Sequence, residues 1–174
     1  DERDFQLLST PELSVWNDQH PKPSGNQVGE PHEIAVMDWF SRHVLAWRLS
    51  NSMEVEFCLE ALDEALLGGR PEIFNTDQGA QFTSNGFTQI LKDHGVAISM
   101  DGRGRCQDNI FVERLWWTIK HHYLYLHTFG CGSDLRQGLT EWVRYYNQER
   151  GHSSLDDRTP NEVYCGLPHP FAEA

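Results

Sequence analysis

Short apolar segments alternate with amphipathic helical segments between positions 34 and 148, and this order constrains the fold of the chain most strongly. The segments 34–37 and 44–49 flank a short polar turn and predict a β-hairpin. Beyond it, apolar residues recur with the i, i+3, i+4, i+7 spacing of a helix face, at Cys58, Ala61, Leu62 and Ala65. A helix is therefore predicted over 54–67, ended by the glycines at 68 and 69.

The rest of this region continues the alternation. Strands are predicted over 71–76 and 96–100, with a helix from about 83 to 94 between them. Two longer helices follow, from about 108 to 123 and from 134 to 148. Their apolar stripes are Val112, Trp116, Ile119 and Tyr123 in the first, and Leu135, Leu139, Trp142 and Tyr146 in the second. This mixed α/β order suits an RNase H-like fold, a sheet of up to five strands with helices on both sides.

The first 33 residues differ from the rest of the chain. They show almost no apolar periodicity and contain several residues that interrupt regular structure: Pro11, Pro21, Pro23, Pro31, Gly25 and Gly29. We predict an irregular N-terminal arm over 1–33, a folded domain over 34–166 and a C-terminal tail over 167–174. This division leaves the first strand of the sheet in doubt.

Composition fits one domain, because 39% of the 174 residues are hydrophobic, enough to bury a core. No apolar run approaches the roughly 18 residues of a membrane span, and no signal-peptide pattern is present near the start. The cysteines are scattered singly, without a zinc or disulfide pattern: Cys58, Cys106, Cys131 and Cys165. We expect a soluble, cytoplasmic protein with reduced thiols.

The formal net charge of −12 argues against a generally basic surface of the kind that binds nucleic acid. The segment 103–122 is an exception, because its cations outnumber its anions: Arg103, Arg105, Arg114 and Lys120 against Asp108 and Glu113. One locally basic face is therefore predicted. Carboxylates clustered in a metal site would also be offset by the bound cations.

Two carboxylates are candidates for chemistry. Asp77 follows the apolar strand residues Ile73 and Phe74, and Gly79 permits a tight turn that leaves the carboxylate at the sheet edge. An isolated Asp at a strand end more often only shapes a turn. Glu113 strengthens the case, because it lies on a predicted helix with 35 residues between it and Asp77. Oxygen ligands of this kind suit Mg²⁺.

The spacing resembles the DD(35)E signature of transposases and retroviral integrases, with Asp77 as the second acid and Glu113 as the third. The surrounding segments are similar to OrfB-type insertion-sequence transposases: Asp38-Trp-Phe-Ser-Arg, Asn75-Thr-Asp-Gln-Gly-Ala-Gln-Phe-Thr-Ser, Ser99-Met-Asp-Gly-Arg-Gly-Arg, Asp108-Asn, Tyr146-Asn, Arg150-Gly-His and Arg158-Thr-Pro. The resemblance covers 34 to about 166. It implies an integrase catalytic core with the RNase H-like fold.

The resemblance also implies a chemistry, in which two Mg²⁺ or Mn²⁺ ions roughly 4 Å apart activate the attacking oxygen and stabilise the leaving oxygen. It implies that Lys120, seven residues after Glu113 on the same helix face, contacts DNA near the cleaved phosphate. A solvated surface lysine is the alternative. Arg103, Arg105 and Arg114 are further candidates for phosphate contacts, and they too are otherwise simply solvated.

The first acid of the signature departs from the family pattern, which places it in a Trp-x-x-Asp-Ile-Thr-like motif on the opening strand. Here Asp18 lies two residues after Trp16 rather than three, and 59 residues before Asp77. Prolines at 21 and 23 are incompatible with a central strand directly after it. Asp38 ends a predicted strand but matches a turn residue of the family. Three hypotheses stay open: Asp18, Asp38, or no functional first acid.

Aromatic residues of the long helix divide into two kinds. Trp116 falls on the apolar stripe and is predicted to be core, whereas Trp117 is the better candidate for an exposed ring that stacks on bases. His121, His122 and His127 lack metal-ligand spacing, so no zinc site is predicted.

The predicted function is DNA transposition or integration by a DDE-type core that acts on element ends and target DNA, as a homo-oligomer and without a membrane. One alternative is a catalytically inactive or truncated core that only binds DNA or assembles with other copies. A general RNase H-like nuclease is a second alternative, which the transposase-like segments disfavour.

Overall fold

The computed structural model describes residues 4–10, 32–50, 55–76, 79–100 and 110–169. Within these ranges the chain forms, in order, β1 (Asp4–Thr10), β2 (His32–Asp38), β3 (Val44–Ser50), α1 (Val55–Leu67), β4 (Ile73–Thr76), α2 (Asn85–Asp93), β5 (Ala97–Met100), α3 (Ile110–His122), α4 (Gly132–Gln148) and α5 (Pro160–Tyr164). Short 3-10 turns lie at Leu124–Leu126 and Ser153–Leu155. No helix in the described ranges has the length and apolar character needed to cross a bilayer.

The strands form one mixed sheet in the order β3-β2-β1-β4-β5. Strand β1 is antiparallel to β2 and parallel to β4, and β5 continues parallel to β4. The β2–β3 pair is antiparallel, so the predicted hairpin is confirmed. The five-stranded mixed sheet with helices is the predicted architecture.

The expected irregularity of the first 33 residues is wrong over Asp4–Thr10, because this segment forms the central strand β1. Its Phe5 side chain is fully buried. The segment Asp-Phe-Gln-Leu-Leu-Ser-Thr has neither a continuous apolar run nor a regular alternation, so periodicity does not detect it. The domain boundaries at 33 and 166 stay predictions.

The sheet separates two hydrophobic clusters, because successive side chains of a strand point to opposite faces. The cluster under α1 and α2 contains Phe5, Ile34, Val36, Ala46, Cys58, Ala61, Leu62, Ala65, Phe74, Phe82, Phe87, Leu91 and Val96. The cluster under α3 and α4 contains Ala35, Met37, Val44, Val112, Leu115, Trp116, Ile119, Leu124, Leu135, Leu139, Trp142 and Tyr146. The predicted core positions of the helices are therefore confirmed, except that Tyr123 follows the end of α3 and is half-buried.

Helix α2 begins and ends as the sequence predicts. The Ser84 Oγ accepts a hydrogen bond from the backbone N–H of Phe87, which caps the first turn. Gly95, with φ of +64°, adopts the left-handed conformation directly after the helix. The cap and the stop fix the short connection into β5.

Asn147 fastens α4 to the sheet. Its side-chain oxygen accepts a hydrogen bond from the Val44 N–H at 3.0 Å, and its side-chain NH₂ donates to the Val44 carbonyl at 2.9 Å. Val44 lies on β3, which is an edge strand. The buried Asn147 side chain thus satisfies both backbone groups of Val44.

Glu33 is a charged residue enclosed in the sheet. It lies on β2 with 1% of its surface exposed, and by alternation it shares the face of Ala35 and Met37, under α3. Among the described residues, neither carboxylate oxygen has a hydrogen-bond partner. Burial raises the pKa of the carboxyl from 4.5 to about 8, against a smaller lowering by Lys120.

Replacing Asn147 with alanine should lower the free energy of unfolding by about 2 to 4 kcal/mol, because two buried backbone groups of Val44 lose their partners. Urea unfolding measures the change. Gln148→Ala, at an exposed neighbouring position of the same helix, is the matched control and should cost much less. Equal losses in both variants would contradict the role of Asn147.

Glu33 should make stability fall as pH rises from about 5 to about 8. In this window the folded state keeps the Glu33 proton and the unfolded state, with its ordinary pKa of 4.5, has lost it, so rising pH favours unfolding. The loss of stability is complete above the folded-state pKa of Glu33, about 8. Thermal unfolding of the wild type and Glu33→Gln across this window should show the variant gaining relative stability with pH. A constant difference between them would contradict the buried carboxyl.

Candidate metal and DNA site on helix α3

Helix α3 packs along the sheet, and interactions at its start and near its end give its direction. At its start, the Phe111 ring lies 6.0 Å from the Trp39 ring, and the Arg42 guanidinium lies 3.2 Å from the Phe111 ring centre. Near its end, Lys120 acts electrostatically on Glu33, at the start of β2. Because β2 is antiparallel to β1 and β4, α3 runs in the direction of β1 and β4. Its second half therefore lies toward the sheet edge at which β4 ends.

The two adjacent tryptophans of α3 have opposite environments. Trp116 is 4% exposed and belongs to the core, whereas Trp117 is 56% exposed. Both predictions about their burial are confirmed. The side of α3 that carries Trp117 therefore faces away from the sheet.

That side carries the functional candidates of the helix. At about 100° per residue, five side chains fall within an arc of about 120°. They are Glu113, Arg114, Trp117, Lys120 and His121, of which all but the half-buried Lys120 are exposed. We call this set the outer face of α3. It combines one carboxylate, two permanent cations and an aromatic surface.

Glu113 has the properties of a ligand for a metal ion that keeps several of its bound waters. Its side chain is exposed in the first turn of α3, and it forms no ion pair with any residue in the described ranges. A carboxylate without a competing cation is the donor that Mg²⁺ or Mn²⁺ takes. The chemistry of this residue is therefore compatible with the metal that the DD(35)E pattern implies.

Several predicted site residues lie outside the described residues, namely Asp77, Asp18, Arg103 and Arg105. Within the described part of the chain, no three His, Cys, Asp or Glu side chains are grouped closely enough to hold a metal. Thr76, the residue before Asp77, ends β4 and is fully buried. Of the predicted catalytic and DNA-binding residues, the structure brings Glu113, Arg114 and Lys120 to one face.

The register of the central strand bears on the first acid. Leu7 of β1 pairs with Thr76 at the end of β4, and Leu8 is the next residue of β1. The acid of β1, Asp4, pairs instead with Ile73 at the start of β4. Beside the end of β4, the central strand therefore carries leucines rather than a carboxylate.

Asp38, the alternative first acid, stabilises a turn. Its Oδ2 accepts hydrogen bonds from the backbone N–H of Ser41, at 2.9 Å, and from the Ser41 hydroxyl. Asp38 pairs with Phe5, two residues before the level of Thr76 and two strands away from it. Strand geometry then separates the Cα atoms of Asp38 and Thr76 by about 12 Å. The sheet therefore gives little support to Asp38 as first ligand, and this alternative stays a prediction.

Glu33 is a residue that sequence reasoning missed. Its signal was present, since it is an acid directly before the apolar run Ile34-Ala-Val-Met. With a pKa of about 8, the carboxyl is largely protonated near pH 7. The positive charge of Lys120 is consequently not neutralised by Glu33 and stays available to an external anion.

A hollow of about 630 Å³ opens at the start of α3. Its lining includes the turn residues Trp39 and Arg42, Phe111, and Asp156 and Arg158 near α5. None of the predicted site residues Glu113, Arg114 and Lys120 lines this hollow. We therefore place the candidate site on the outer face of α3 and not in the hollow.

Comparisons with known proteins identify the family of the chain. Two family models described as "Integrase core domain" match residues 23–106 and 94–160. InsK of insertion sequence element IS150 in Escherichia coli K12 is 34% identical over 130 residues, which are 73% of this chain and 46% of that protein. The transposase for insertion sequence element IS629 of Shigella sonnei is 30% identical over 130 residues, 74% of this chain and 44% of that protein. The chain thus spans about half the length of these relatives.

Solved structures share the fold. The catalytic core of HTLV-2 integrase in complex with magnesium, in its trimeric form, has a TM-score of 0.68 and 20% identity, covering 94% of this chain and 96% of that chain. The catalytic core of BIV integrase has a TM-score of 0.69 and 14% identity, covering 95% of both chains. The predicted RNase H-like fold is confirmed. Together with the family models and the relatives, this shows that the chain belongs to the insertion-sequence transposases with a DDE-type integrase core.

Proposed function

We propose that this chain carries out metal-dependent DNA cleavage and strand transfer in DNA transposition. The observation that supports this most is the outer face of α3, where the exposed Glu113 carboxylate and the Lys120 ammonium lie on one side of the helix. The transposase relatives and the 35-residue spacing between Asp77 and Glu113 point to the same chemistry.

The ligands in this proposal are Asp77, Glu113 and Asp18. Carboxylates from three separate segments can hold two Mg²⁺ or Mn²⁺ ions while leaving positions open for water and phosphate oxygens. When bound, the ions would activate the attacking oxygen and stabilise the leaving oxygen of the phosphodiester. Asp18 is the ligand with least support, because Leu7 and Leu8 stand on the central strand beside the end of β4.

The cations in this proposal orient the DNA. Lys120 and Arg114 flank the exposed surface of α3, and Arg103 and Arg105 precede the helix in sequence. Contacts of this kind fix the position of a phosphate backbone without reading its sequence. The largely neutral Glu33 carboxyl near pH 7 leaves Lys120 free for this role.

The partners in this proposal are DNA element ends and target DNA, bound by more than one copy of the chain. Each chain has a net charge of −12, so binding depends on local basic surfaces rather than on overall charge. The HTLV-2 integrase cores, which have the same fold, are described in dimeric and trimeric forms. The cytoplasm is the proposed compartment.

With Mn²⁺, the chain should nick supercoiled plasmid DNA, a probe that needs no knowledge of the element ends. Asp77→Ala and Glu113→Gln should each reduce the rate by more than the roughly 10- to 100-fold that loss of an outer-shell metal partner costs. Asp18→Ala should do the same if Asp18 is the first ligand. Direct Mn²⁺ binding, measured by electron paramagnetic resonance, gives a second readout for the same variants.

Glu56→Gln is the matched control, because Glu56 is an exposed acid on α1, on the other side of the sheet. Its nicking rate should equal that of the wild type. Nicking that survives Asp18→Ala but not Asp77→Ala would reject Asp18 as ligand. No nicking with any divalent metal would reject the proposed activity and favour a DNA-binding or assembly module.

Lys120→Ala should weaken DNA binding and make its salt dependence shallower by about one unit of slope, because one phosphate contact is lost. Fluorescence anisotropy over a salt series measures the slope. Lys92→Ala is the control, since Lys92 is exposed on α2 at the other face of the sheet. The same change of slope in both variants would show that Lys120 has no special role.

A further inference from the structure

Three aromatic side chains form a row on the surface of α3 and the 3-10 turn after it. Trp117, His121 and Tyr125 are spaced by four residues, so they follow one side of the helix. The ring centres of Trp117 and His121 are 4.4 Å apart, and those of His121 and Tyr125 are 5.0 Å apart. Trp117 is 56% exposed and Tyr125 is 46% exposed. We call these three residues the aromatic row.

The aromatic row does not serve the hydrophobic core. Trp116 already provides the buried ring of this turn, packed with Leu115 and Ile119 against the sheet. Trp117 contacts His121 and His122 on its own helix instead. Large rings that stay exposed on a folded domain mark an interaction surface when they are grouped.

The charges around the aromatic row favour nucleic acid as its occupant. Arg114 and Lys120 lie on the same outer face, so phosphates could pair with cations while a ring stacks on a base. A second copy of this chain is a poorer occupant, because a symmetric contact between two copies of this face would bring the cations Arg114 and Lys120 of both copies together. The combination of cations and stacking rings is typical of single-stranded nucleic-acid sites.

The position of Trp117 indicates which nucleotide it would meet. It lies four residues after Glu113, about 6 Å farther along the helix axis. A nucleotide at this distance from the proposed metal ligand is next to the phosphate that is cut. Inside a duplex, base faces are covered by the neighbouring base pairs, so away from a free end a ring can stack only on a base that has left the duplex.

We propose that the aromatic row binds an unpaired base next to the cleaved phosphate, with Trp117 as the stacking ring. This inference rests on the proposed function for the location of the cut. Binding of an unpaired base makes the chain selective for DNA ends that are frayed or carry a single-stranded tail. Trp117 is then a specificity-determining residue that makes no contact with the metal.

The test compares two fluorescein-labelled probes, a blunt duplex and the same duplex with a short single-stranded tail. Binding of the full chain is measured by anisotropy in EDTA, so that metal chemistry plays no part. Trp117→Ala should weaken binding to the tailed probe by about 5-fold to 100-fold, the range for loss of one stacked base. Binding to the blunt probe should change by less than about 2-fold.

Two further variants separate stacking from folding. Trp117→Leu retains apolar bulk but has no ring face, so it should lose the tail preference as Trp117→Ala does. Trp117→Phe retains a ring and should keep most of the preference. Phe40→Ala is the matched control, because Phe40 is a 74% exposed ring at the β2–β3 turn, away from the aromatic row. It should bind both probes as the wild type does.

Equal loss on the tailed and blunt probes would overturn the inference, as would full tail preference in Trp117→Leu. A change in the sedimentation of the DNA-free chain on Trp117→Ala, with unchanged tail preference, would assign the row to contact between copies instead. Plasmid nicking reports separately on the proposed function. If the chain does not nick plasmid DNA but binds tailed DNA in a Trp117-dependent way, the proposed activity is rejected. The inference that the aromatic row binds a base then still stands.

Discussion

The pairing of β1 with both β2 and β4 is the constraint on which the rest of the structure depends. Among the described strands, β1 joins the hairpin of β2 and β3 to the pair β4 and β5 within the sheet. Its antiparallel bonds to one side and parallel bonds to the other set the level at which β4 ends relative to β2. Because α3 packs over the same sheet, this pairing also fixes where Glu113 and Lys120 lie relative to the end of β4.

The same packing arranges the electrostatics of the site. Enclosure of Glu33 under α3 makes ionisation of its carboxyl unfavourable, so the residue near Lys120 is a weak acid rather than a counter-ion. An acidic chain can therefore present a local positive potential. Arg114 and Lys120 lie beside exposed rings on the outer face, which suits a ligand with both phosphates and aromatic bases. Local arrangement, and not net charge, determines the chemistry of this face.

Much of the fold could be predicted from periodicity, because the hairpin and the helices α1 to α4 each have one buried side. Strand β1 could not, since its seven residues show neither a continuous apolar run nor a regular alternation. For the site, the position of each tryptophan relative to the apolar stripe of α3 was enough to predict that Trp116 is buried and Trp117 exposed. The family resemblance already implied that Asp38 is a turn residue, and its bonds to Ser41, three residues later, are local. The enclosure of Glu33 depends on how α3 crosses β2, which no local pattern in the sequence predicts.

The central claim is that Asp77 and Glu113 share a divalent metal, although they come from distant parts of the chain. Anomalous diffraction from crystals of the chain grown with Mn²⁺ and a DNA end tests it most directly. The account predicts an anomalous peak within about 2.5 Å of a carboxylate oxygen of both residues. A peak bound by only one of them, or well-ordered carboxylates too far apart to share an ion, would contradict it.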